Sequence, residues 1–433
     1  MKLLFFLIVL TFGGLIFYKR GELRLELFLL AVIFIPPIVP YPTSGVNAQR
    51  FFILAFWASI VYHNEIGRAK RNVIVPFLLL ILISYYLTGF FDNRVTAFSK
   101  FWKPTIHFLT EYGLIILGSA TLLTANGWSR FRKFVVNVSL VACGYGILTF
   151  LINADPYSQS IADIFGDEAG CDFTPLGVLR VRICSFLYNS HKFGYFCAVI
   201  TIMLTYFHFK VRLSFKERFC LLLVVLSLMI SGSRSSLIAA MIGVAIILLL
   251  GLRLKRRAQY TLIILLALLP ASQLPVVQHS IESLSVIFSD DDRKQTGSSI
   301  EMRQNQLEIS TVFFAKEPVW GNGFDYYAEI VKPDDAIIKK EGLYGAESYA
   351  FILLIERGAV QISAIIVFCV VIIIVFYRNR NVYRLESAAG MALFLSFVSV
   401  SITTGNSGKW VFVLPLVGVF LNLPKKQKRL VKS

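Results

Sequence analysis

Three arginines and one glutamate stand out in this sequence because all four lie in segments between the apolar runs. Arg182 precedes one such run, and Arg234 lies between two others, in the short segment 231–236. Arg303 and Glu347 fall in the long polar stretch that follows. A guanidinium binds phosphate through two parallel hydrogen bonds and never loses its charge, and a carboxylate can remove a proton from a hydroxyl group. These residue types suit a reaction in which a hydroxyl attacks and a diphosphate leaves without a metal ion.

Basic and aromatic side chains beside these four residues are second-rank candidates for binding a substrate. Alternate residues of an extended segment point the same way, so Arg180 shares a face with Arg182. Basic residues at the start of a span also bind lipid headgroups, and aromatic residues at a glycine turn can stack on sugars or pack at the membrane surface. The candidates of this rank are Arg180, His191, Lys192, Tyr326, Tyr327 and Tyr349.

The elements that position these residues are predicted to be membrane-spanning helices. The 433 residues are 56% hydrophobic and only 16% charged, whereas about a quarter of a soluble domain is charged. Apolar runs of about 20 residues predict an all-α polytopic integral membrane protein with about thirteen transmembrane helices. The first run is followed by Lys19 and Arg20 without a cleavage site, which indicates a retained span. The predicted spans are 2–18, 25–39, 48–62, 73–91, 105–124, 134–153, 193–209, 219–231, 235–251, 260–272, 358–377, 386–403 and 410–423.

The placement of charge predicts the orientation of the chain. The net charge is +17, but most lysines and arginines lie in alternate short connections and in the C-terminal tail, so the pattern does not indicate nucleic-acid binding. By the positive-inside rule those connections are cytoplasmic, which puts the N-terminus outside and the C-terminus inside. Residues 1–433 are then a single membrane domain whose two long loops, 154–192 and 273–357, lie outside the cytoplasm and carry all the candidates except Arg234, which lies at the outer ends of two spans.

The cysteines do not form a metal-binding pattern, because no Cys-x-x-Cys or Cys/His cluster occurs. Cys171 and Cys184 share the first outer loop, where a disulfide can form, and the sequence leaves that pairing open. The other four lie in or beside predicted spans and are interpreted as packing residues.

Four segments in this order resemble the O-antigen polymerase and O-antigen ligase superfamily of bacterial surface-polysaccharide enzymes, over roughly residues 177–375. The segment VRICSFLYNSHKFGYF resembles the superfamily's arginine segment before a span, and SGSRSSLIAAMIGV resembles its Ser-Arg motif. SIEMRQNQLEISTVFFAKEPVWGNGF resembles the arginine-bearing helix and the glycine turn after it, and ESYAFILLIERGAV resembles the helix before a glycine and a long span. The resemblance places the superfamily's arginines at Arg182, Arg234 and Arg303.

The resemblance implies a fold of the lipid-carrier glycosyltransferase (GT-C-like) type and an inverting mechanism without metal or other cofactor. It implies a lipid-linked oligosaccharide on undecaprenyl diphosphate as substrate, a lipid groove between spans, and the bacterial inner membrane as location. Arg234 and Arg303 would hold the diphosphate, Arg182 would orient it, and Glu347 would activate the acceptor hydroxyl. Membrane lipids, a chain-length regulator and a flippase are the expected partners, and nucleic acid is not.

One departure from the superfamily decides between its two activities. Its ligases carry a histidine eleven residues before the glycine, whereas here the residue eleven before Gly358 is Glu347. We therefore expect a polymerase that joins repeat units of O-antigen or capsule, with a ligase that transfers polymer to lipid A core as the alternative. A flippase for the same lipid-linked unit, which would hold its charges inside the helix bundle, and a scaffold of an export complex are further alternatives.

Overall fold

The computed structural model describes residues 2–37, 47–69, 73–121, 124–165, 183–260, 300–331, 348–404 and 410–430. Within these ranges the chain forms helices and no strand, so the all-α prediction is confirmed there. In the first half of the chain the helices are α1 (Lys2–Tyr18), α2 (Gly21–Phe34), α3 (Ala48–Tyr62), α4 (Ile66–Ala69), α5 (Val75–Phe91), α6 (Ala97–Thr110), α7 (Leu114–Ala120), α8 (Ala125–Ile152) and α9 (Pro156–Phe165).

In the second half the helices are α10 (Ser190–Lys210), α11 (Phe215–Ile230), α12 (Arg234–Ile246), α13 (Ile300–Lys316), α14 (Tyr349–Glu356), α15 (Gly358–Asn379), α16 (Arg384–Thr403) and α17 (Trp410–Leu430). Helix α12 runs on into a π-helical turn over Ile247–Gly251.

Five helices of the described part are long and apolar enough to cross a membrane, and shorter apolar helices accompany them. The five are α8, α10, α12 with its π-helical turn, α15 and α16; the shorter ones are α1, α3, α5 and the first part of α17. The predicted bounds 2–18 and 48–62 coincide with α1 and α3. The predicted span 260–272 lies outside the described residues except for residue 260, and both the number thirteen and the GT-C-like architecture stay predictions.

The predicted span 105–124 is a broken helix and not a continuous one. Helix α6 begins earlier, at Ala97, and ends at Thr110, and α7 begins after a turn that contains Glu111 and Gly113. The chain departs from helical geometry at Glu111 (φ −109°, ψ −107°), whose carboxylate accepts a hydrogen bond from the hydroxyl of Tyr85 on α5. Because a carboxylate facing lipid is costly, the break turns this group toward polar partners inside the bundle.

The basic connections of the sequence also look different in the structure, because several of their charges are paired. Arg24 is fully buried, and its guanidinium donates hydrogen bonds to Ser59 and to Glu65. Helix α8 begins at Ala125 instead of residue 134, so Arg130 and Arg132 belong to a helix and not to a loop. These ion pairs join neighbouring helices at one end of the bundle: Arg24–Glu65, Arg130–Glu26, Arg132–Glu217 and Lys210–Glu386.

Candidate active site

The start of α10 packs directly on the turn that carries Arg234. Asn189 caps α10 by accepting a hydrogen bond from the backbone N–H of Lys192 at 3.1 Å. A Cβ atom at Gly194 would lie 2.7 Å from the hydroxyl of Ser231 and 2.8 Å from Cβ of Ser233, so only glycine permits this approach. One turn earlier, Nδ1 of His191 lies 3.3 Å from the hydroxyl of Ser233. The end of the long loop 154–192 therefore contacts the Ser-Arg turn.

The serines of that turn form hydrogen bonds within the turn and to the end of α11. The hydroxyls of Ser233 and Ser236 lie 2.7 Å apart, and Ser231 donates to the carbonyl of Leu228 at 2.7 Å. The serines are buried, whereas Arg234, the first residue of α12, is partly exposed. A positively charged side chain at the start of a helix, beside the helix's own N–H groups, is suited to an anionic ligand.

The second outer loop is attached to the C-terminal end of α16. Nη2 of Arg303 donates to the carbonyl of Thr403 at 3.0 Å, and the hydroxyl of Ser348 donates to the carbonyl of Ile402 at 2.6 Å. The last carbonyls of a helix have no partner within it, so these contacts satisfy groups that otherwise need water. Arg303 on α13 and the segment just before α14 are thereby held at one helix end.

The packing of α12 against α16 places Arg234 at that same end. The two helices are antiparallel, since Gly251 lies beside Leu385 and Ala388 whereas Gly243 lies beside the carbonyl of Ala392. At about 1.5 Å per residue, Arg234 and Thr403 lie roughly 14 and 17 Å beyond the level where Gly243 meets Ala392. Arg234 and Arg303 therefore lie at the same end of the bundle, opposite to the ion-paired end.

The remaining sequence candidates divide into those the structure describes and those it does not. Tyr326 is half-buried beneath the guanidinium of Arg94, whose carbon lies 4.8 Å from the ring centre. Tyr327 and Tyr349 are buried, and the Tyr349 hydroxyl donates to Glu111 at 3.2 Å, so both are packing residues in this structure. Arg180, Arg182, Glu347 and Cys171 lie outside the described residues.

Of the two cysteines in the predicted disulfide, the structure describes only Cys184. Cys184 is disulfide-bonded, whereas Cys143, Cys197, Cys220 and Cys369 are free. The pairing of Cys184 with Cys171 stays a prediction. Among the residues described, no group of three His, Cys, Asp or Glu side chains could hold a metal ion.

A buried charge cluster that sequence reasoning missed lies beneath the second outer loop. Its centre is Arg357, which is only 2% exposed and lies with its guanidinium carbon 3.8 Å from the ring centre of Phe324. Glu111 and Glu356 approach the guanidinium at 3.8 and 3.5 Å. Nε and Nη1 of Arg357 make no hydrogen bond, so charge and aromatic faces hold this side chain.

His107 connects this cluster to the protein surface. Its Nδ1 lies 3.3 Å from Glu111, its Nε2 lies 3.4 Å from Asp325, and its ring stacks on Phe324 at 4.8 Å. Asp325 is partly exposed and also lies 3.4 Å from the ammonium of Lys103. The cluster joins three elements: the broken helix, the glycine turn that follows α13, and the junction of α14 with α15.

The two carboxyl groups of the loop within this cluster have opposite protonation behaviour. Burial raises the pKa of Glu356 to about 7, an effect that the charge of Arg357 only partly offsets. Burial also disfavours ionisation of Asp325, but the hydrogen bond from His107 and the charge of Lys103 hold its pKa well below its ordinary value. A carboxyl group that titrates near neutral pH thus lies beside one that stays ionised.

Two signals in the sequence could have revealed the cluster. Glu356 and Arg357 directly precede the most apolar span, and Glu111 is a lone acid inside a predicted span. An ionisable residue within a membrane span marks a functional site by default. A basic residue at the end of a span is common, however, so the position of Arg357 in the sequence does not distinguish it from other basic residues.

Residues 219–360 match a family described as O-antigen ligase. The matched part includes Arg234, Arg303, Glu347 and the Glu356–Arg357 pair. No curated protein matches the chain. The match covers about a third of the chain, so the similarity to this family is shown for residues 219–360.

Proposed function

We propose that this chain is a polysaccharide polymerase that joins oligosaccharide repeat units carried on undecaprenyl diphosphate. The reaction is an inverting, metal-independent glycosyl transfer on the periplasmic face of the bacterial inner membrane. The observation that carries the proposal is the convergence of Arg234 and Arg303 at one end of the antiparallel pair α12 and α16. The residue after Glu347 is hydrogen-bonded to the same helix end.

In this proposal the arginines stabilise the leaving group. Arg234 and Arg303 bind the diphosphate of the donor, and Arg182 orients it. The bond between the anomeric carbon and the diphosphate oxygen breaks, and undecaprenyl diphosphate leaves with the electron pair. Guanidinium groups neutralise that charge without a metal ion because they are permanently cationic and match phosphate in shape.

The carboxylate activates the acceptor in the same step. A sugar hydroxyl attacks the anomeric carbon from the opposite face and gives its proton to Glu347, which inverts the configuration at that carbon. Arg180, His191 and Lys192 are secondary binding residues. Tyr326 remains exposed enough to contact sugar, whereas Tyr327 and Tyr349 support the wall of the site from within.

A ligase is the second candidate, because the matching family is described as O-antigen ligase. A ligase transfers finished polymer to a lipid A core, so the two activities use the same donor chemistry and differ in the acceptor. The glutamate at position 347, where ligases of the superfamily carry histidine, favours the polymerase.

The test is the length of the product made by purified protein in nanodiscs with undecaprenyl-diphosphate repeat units and EDTA. We expect a ladder of unit multiples that Arg303→Ala abolishes. The control is Arg378→Ala, since Arg378 is an exposed arginine in the last turn of α15, at the opposite end of the bundle. Transfer to lipid A core without a ladder would assign the ligase activity, and neither product from folded protein would refute both.

A further inference from the structure

Lys192 is a lysine with no acidic partner among the residues that the structure describes. It lies in the first turn of α10, where its backbone N–H donates the capping hydrogen bond to the side chain of Asn189. Within the described residues no carboxylate forms a salt bridge with its ammonium group. A cation in a mostly apolar setting is costly unless an anion accompanies it, and the other deeply placed cations of this bundle have acidic partners.

The side chain of Lys192 lines a small cleft between the start of α10 and the N-terminal helices. The cleft is small and opens to solvent, and its other walls include Pro36, Pro37, Gln49 and Phe412. Apart from the ammonium group, the amide of Gln49 is the polar side chain that lines the cleft. A small cleft with mostly apolar walls and one cation at its edge can bind a single anionic group at its mouth.

The cleft and the Ser-Arg turn both adjoin the first turn of α10, but they lie on different sides of that helix. His191 faces Ser233 beside Arg234, and the next residue, Lys192, projects about 100° further around the helix. A substrate whose diphosphate is bound by Arg234 and Arg303 can therefore extend a sugar toward Lys192. The arginines already match a diphosphate bidentately, whereas an ammonium group binds a single point of negative charge.

We propose that Lys192 and its cleft form a specificity subsite for a carboxylate carried by a sugar of the repeat unit. The chain then takes acidic repeat units, and Lys192 distinguishes them from neutral ones. This inference rests on the proposed function, because it assumes that a lipid-linked oligosaccharide is the substrate. The competing source of an anion at this position is the diphosphate of the carrier, and the experiment below separates the two.

The first measurement is the composition of the repeat unit that accumulates on undecaprenyl diphosphate in cells lacking this chain. Mass spectrometry of the released oligosaccharide should show an acidic sugar. A unit without any carboxylate overturns the inference.

The second measurement is the affinity of purified protein in nanodiscs for that lipid-linked unit and for the same unit with its carboxylate reduced to an alcohol. We expect wild-type protein to bind the native unit roughly tenfold or more tightly, since a hydrogen bond to a charged group is lost on reduction. Lys192→Met should bind both forms equally, and Lys192→Arg should keep part of the preference. Lys100→Met is the matched control, because Lys100 lies on α6 and donates to the carbonyl of Phe90.

The outcomes separate the possible roles of Lys192. Equal losses of affinity for the native and the reduced unit in Lys192→Met would place the lysine on the diphosphate and overturn the inference. No change in either affinity would overturn it as well. The affinity measurement needs no turnover. A loss of polymerisation would refute the proposed function, and the binding data would still report on the Lys192 subsite separately.

Discussion

At the scale of single residues, the buried cluster beneath the second outer loop depends on a few charges. Arg357 is almost completely buried, and its partners Glu111 and Glu356 are buried too. Removing one member of such a set leaves another charge uncompensated away from water, which costs much more than breaking an exposed pair. The cluster therefore connects the loop to the bundle through interactions that tolerate no single deletion.

Arg357→Met is expected to destabilise the protein by about 3–5 kcal/mol, because Glu111 is left buried with too little positive charge. Arg378→Met serves as the control, since Arg378 is an exposed arginine in the last turn of α15. That variant should cost no more than about 1 kcal/mol. The thermal unfolding midpoint in detergent measures both, and equal shifts would contradict the assigned role of the buried pair.

The raised pKa of Glu356 predicts how stability depends on pH. The folded protein holds the proton of this carboxyl up to about pH 7, whereas the unfolded chain releases it near the ordinary value of 4.5. The stabilisation is therefore complete below about 4.5 and is lost as the pH rises through 7. Asp325 has its pKa shifted downward, so it contributes no change in this window.

Unfolding midpoints measured between pH 5 and 8 should fall more steeply with pH in wild-type protein than in Glu356→Gln. The glutamine keeps an oxygen that accepts from the backbone N–H of Tyr327 but cannot ionise. His107 titrates in both proteins, so the difference between the two curves reports Glu356. Parallel curves would show that the pKa of Glu356 is not raised.

Glu347→Gln is expected to lower chain growth at least about a hundredfold, with normal amounts of protein in the membrane, because the acceptor loses its base. Glu347→His should retain part of the activity, since imidazole is also a base, with a pH profile displaced from that of the wild type. Polymer length on gels, together with quantified membrane protein, measures this. Wild-type chain length in Glu347→Gln would remove the residue from the mechanism.

At the scale of elements, close packing at glycine sets the position of the Ser-Arg turn. Gly194 allows α10 to approach Ser231 and Ser233, whereas Gly144 on α8 has no atom within 4 Å of the position of a Cβ. These two glycines lie in similar apolar helices and differ in what surrounds them. They provide a comparison in which helix propensity is held constant.

Gly194→Ala should lower both polymerising activity and thermal stability, because the added methyl group displaces the turn that carries Arg234. Gly144→Ala should leave activity unchanged and stabilise α8 by up to about 1 kcal/mol, since alanine is the better helix former. Activity in nanodiscs and unfolding midpoints measure the pair. Equal behaviour of the two variants would show that the glycine contact does not position Arg234.

Much of the element pattern could be predicted from the sequence, and the exceptions have physical causes. Apolar run length was enough for α1 and α3, whose bounds coincide with prediction. The break after α6 could not be predicted in this way, because Glu111 leaves the helix for partners remote in sequence, Tyr85 and Arg357. The order of the arginines in the sequence indicated a shared site, but only the antiparallel register of α12 and α16 brings two of them to one end.

At the scale of the whole molecule, the two ends of the helix bundle carry different sets of charged side chains. Ion pairs such as Arg132–Glu217 and Lys210–Glu386 join helices at one end, and the candidate active site lies at the other. The positive-inside rule predicts that the paired end and the C-terminus are cytoplasmic and that the N-terminus is periplasmic.

A green fluorescent protein fused after residue 433 should fluoresce, because that protein matures in the cytoplasm. In intact spheroplasts, the Asn153→Cys variant should react with a membrane-impermeant thiol reagent. Asn153 ends α8 in a left-handed conformation and follows exposed residues, so it offers an accessible site. A non-fluorescent fusion with an unreactive cysteine at 153 would invert the orientation and place the arginines on the cytoplasmic side.

The contact between α7 and α17 has a consequence for how the chain is made. Gly118 lies directly on the backbone of Pro415, and Ser119 donates to the carbonyl of Gly418 at 3.2 Å. Roughly 290 residues separate α7 from α17, so a ribosome adding about 5–20 residues per second completes the pair on the order of 15–60 s after α7 emerges. During this interval the seven residues of α7 are too few to cross a bilayer alone, and the preceding turn holds a carboxylate. A nascent chain that stops before Trp410 thus lacks the helix against which α7 packs, and its crossing of the bilayer stays unfinished.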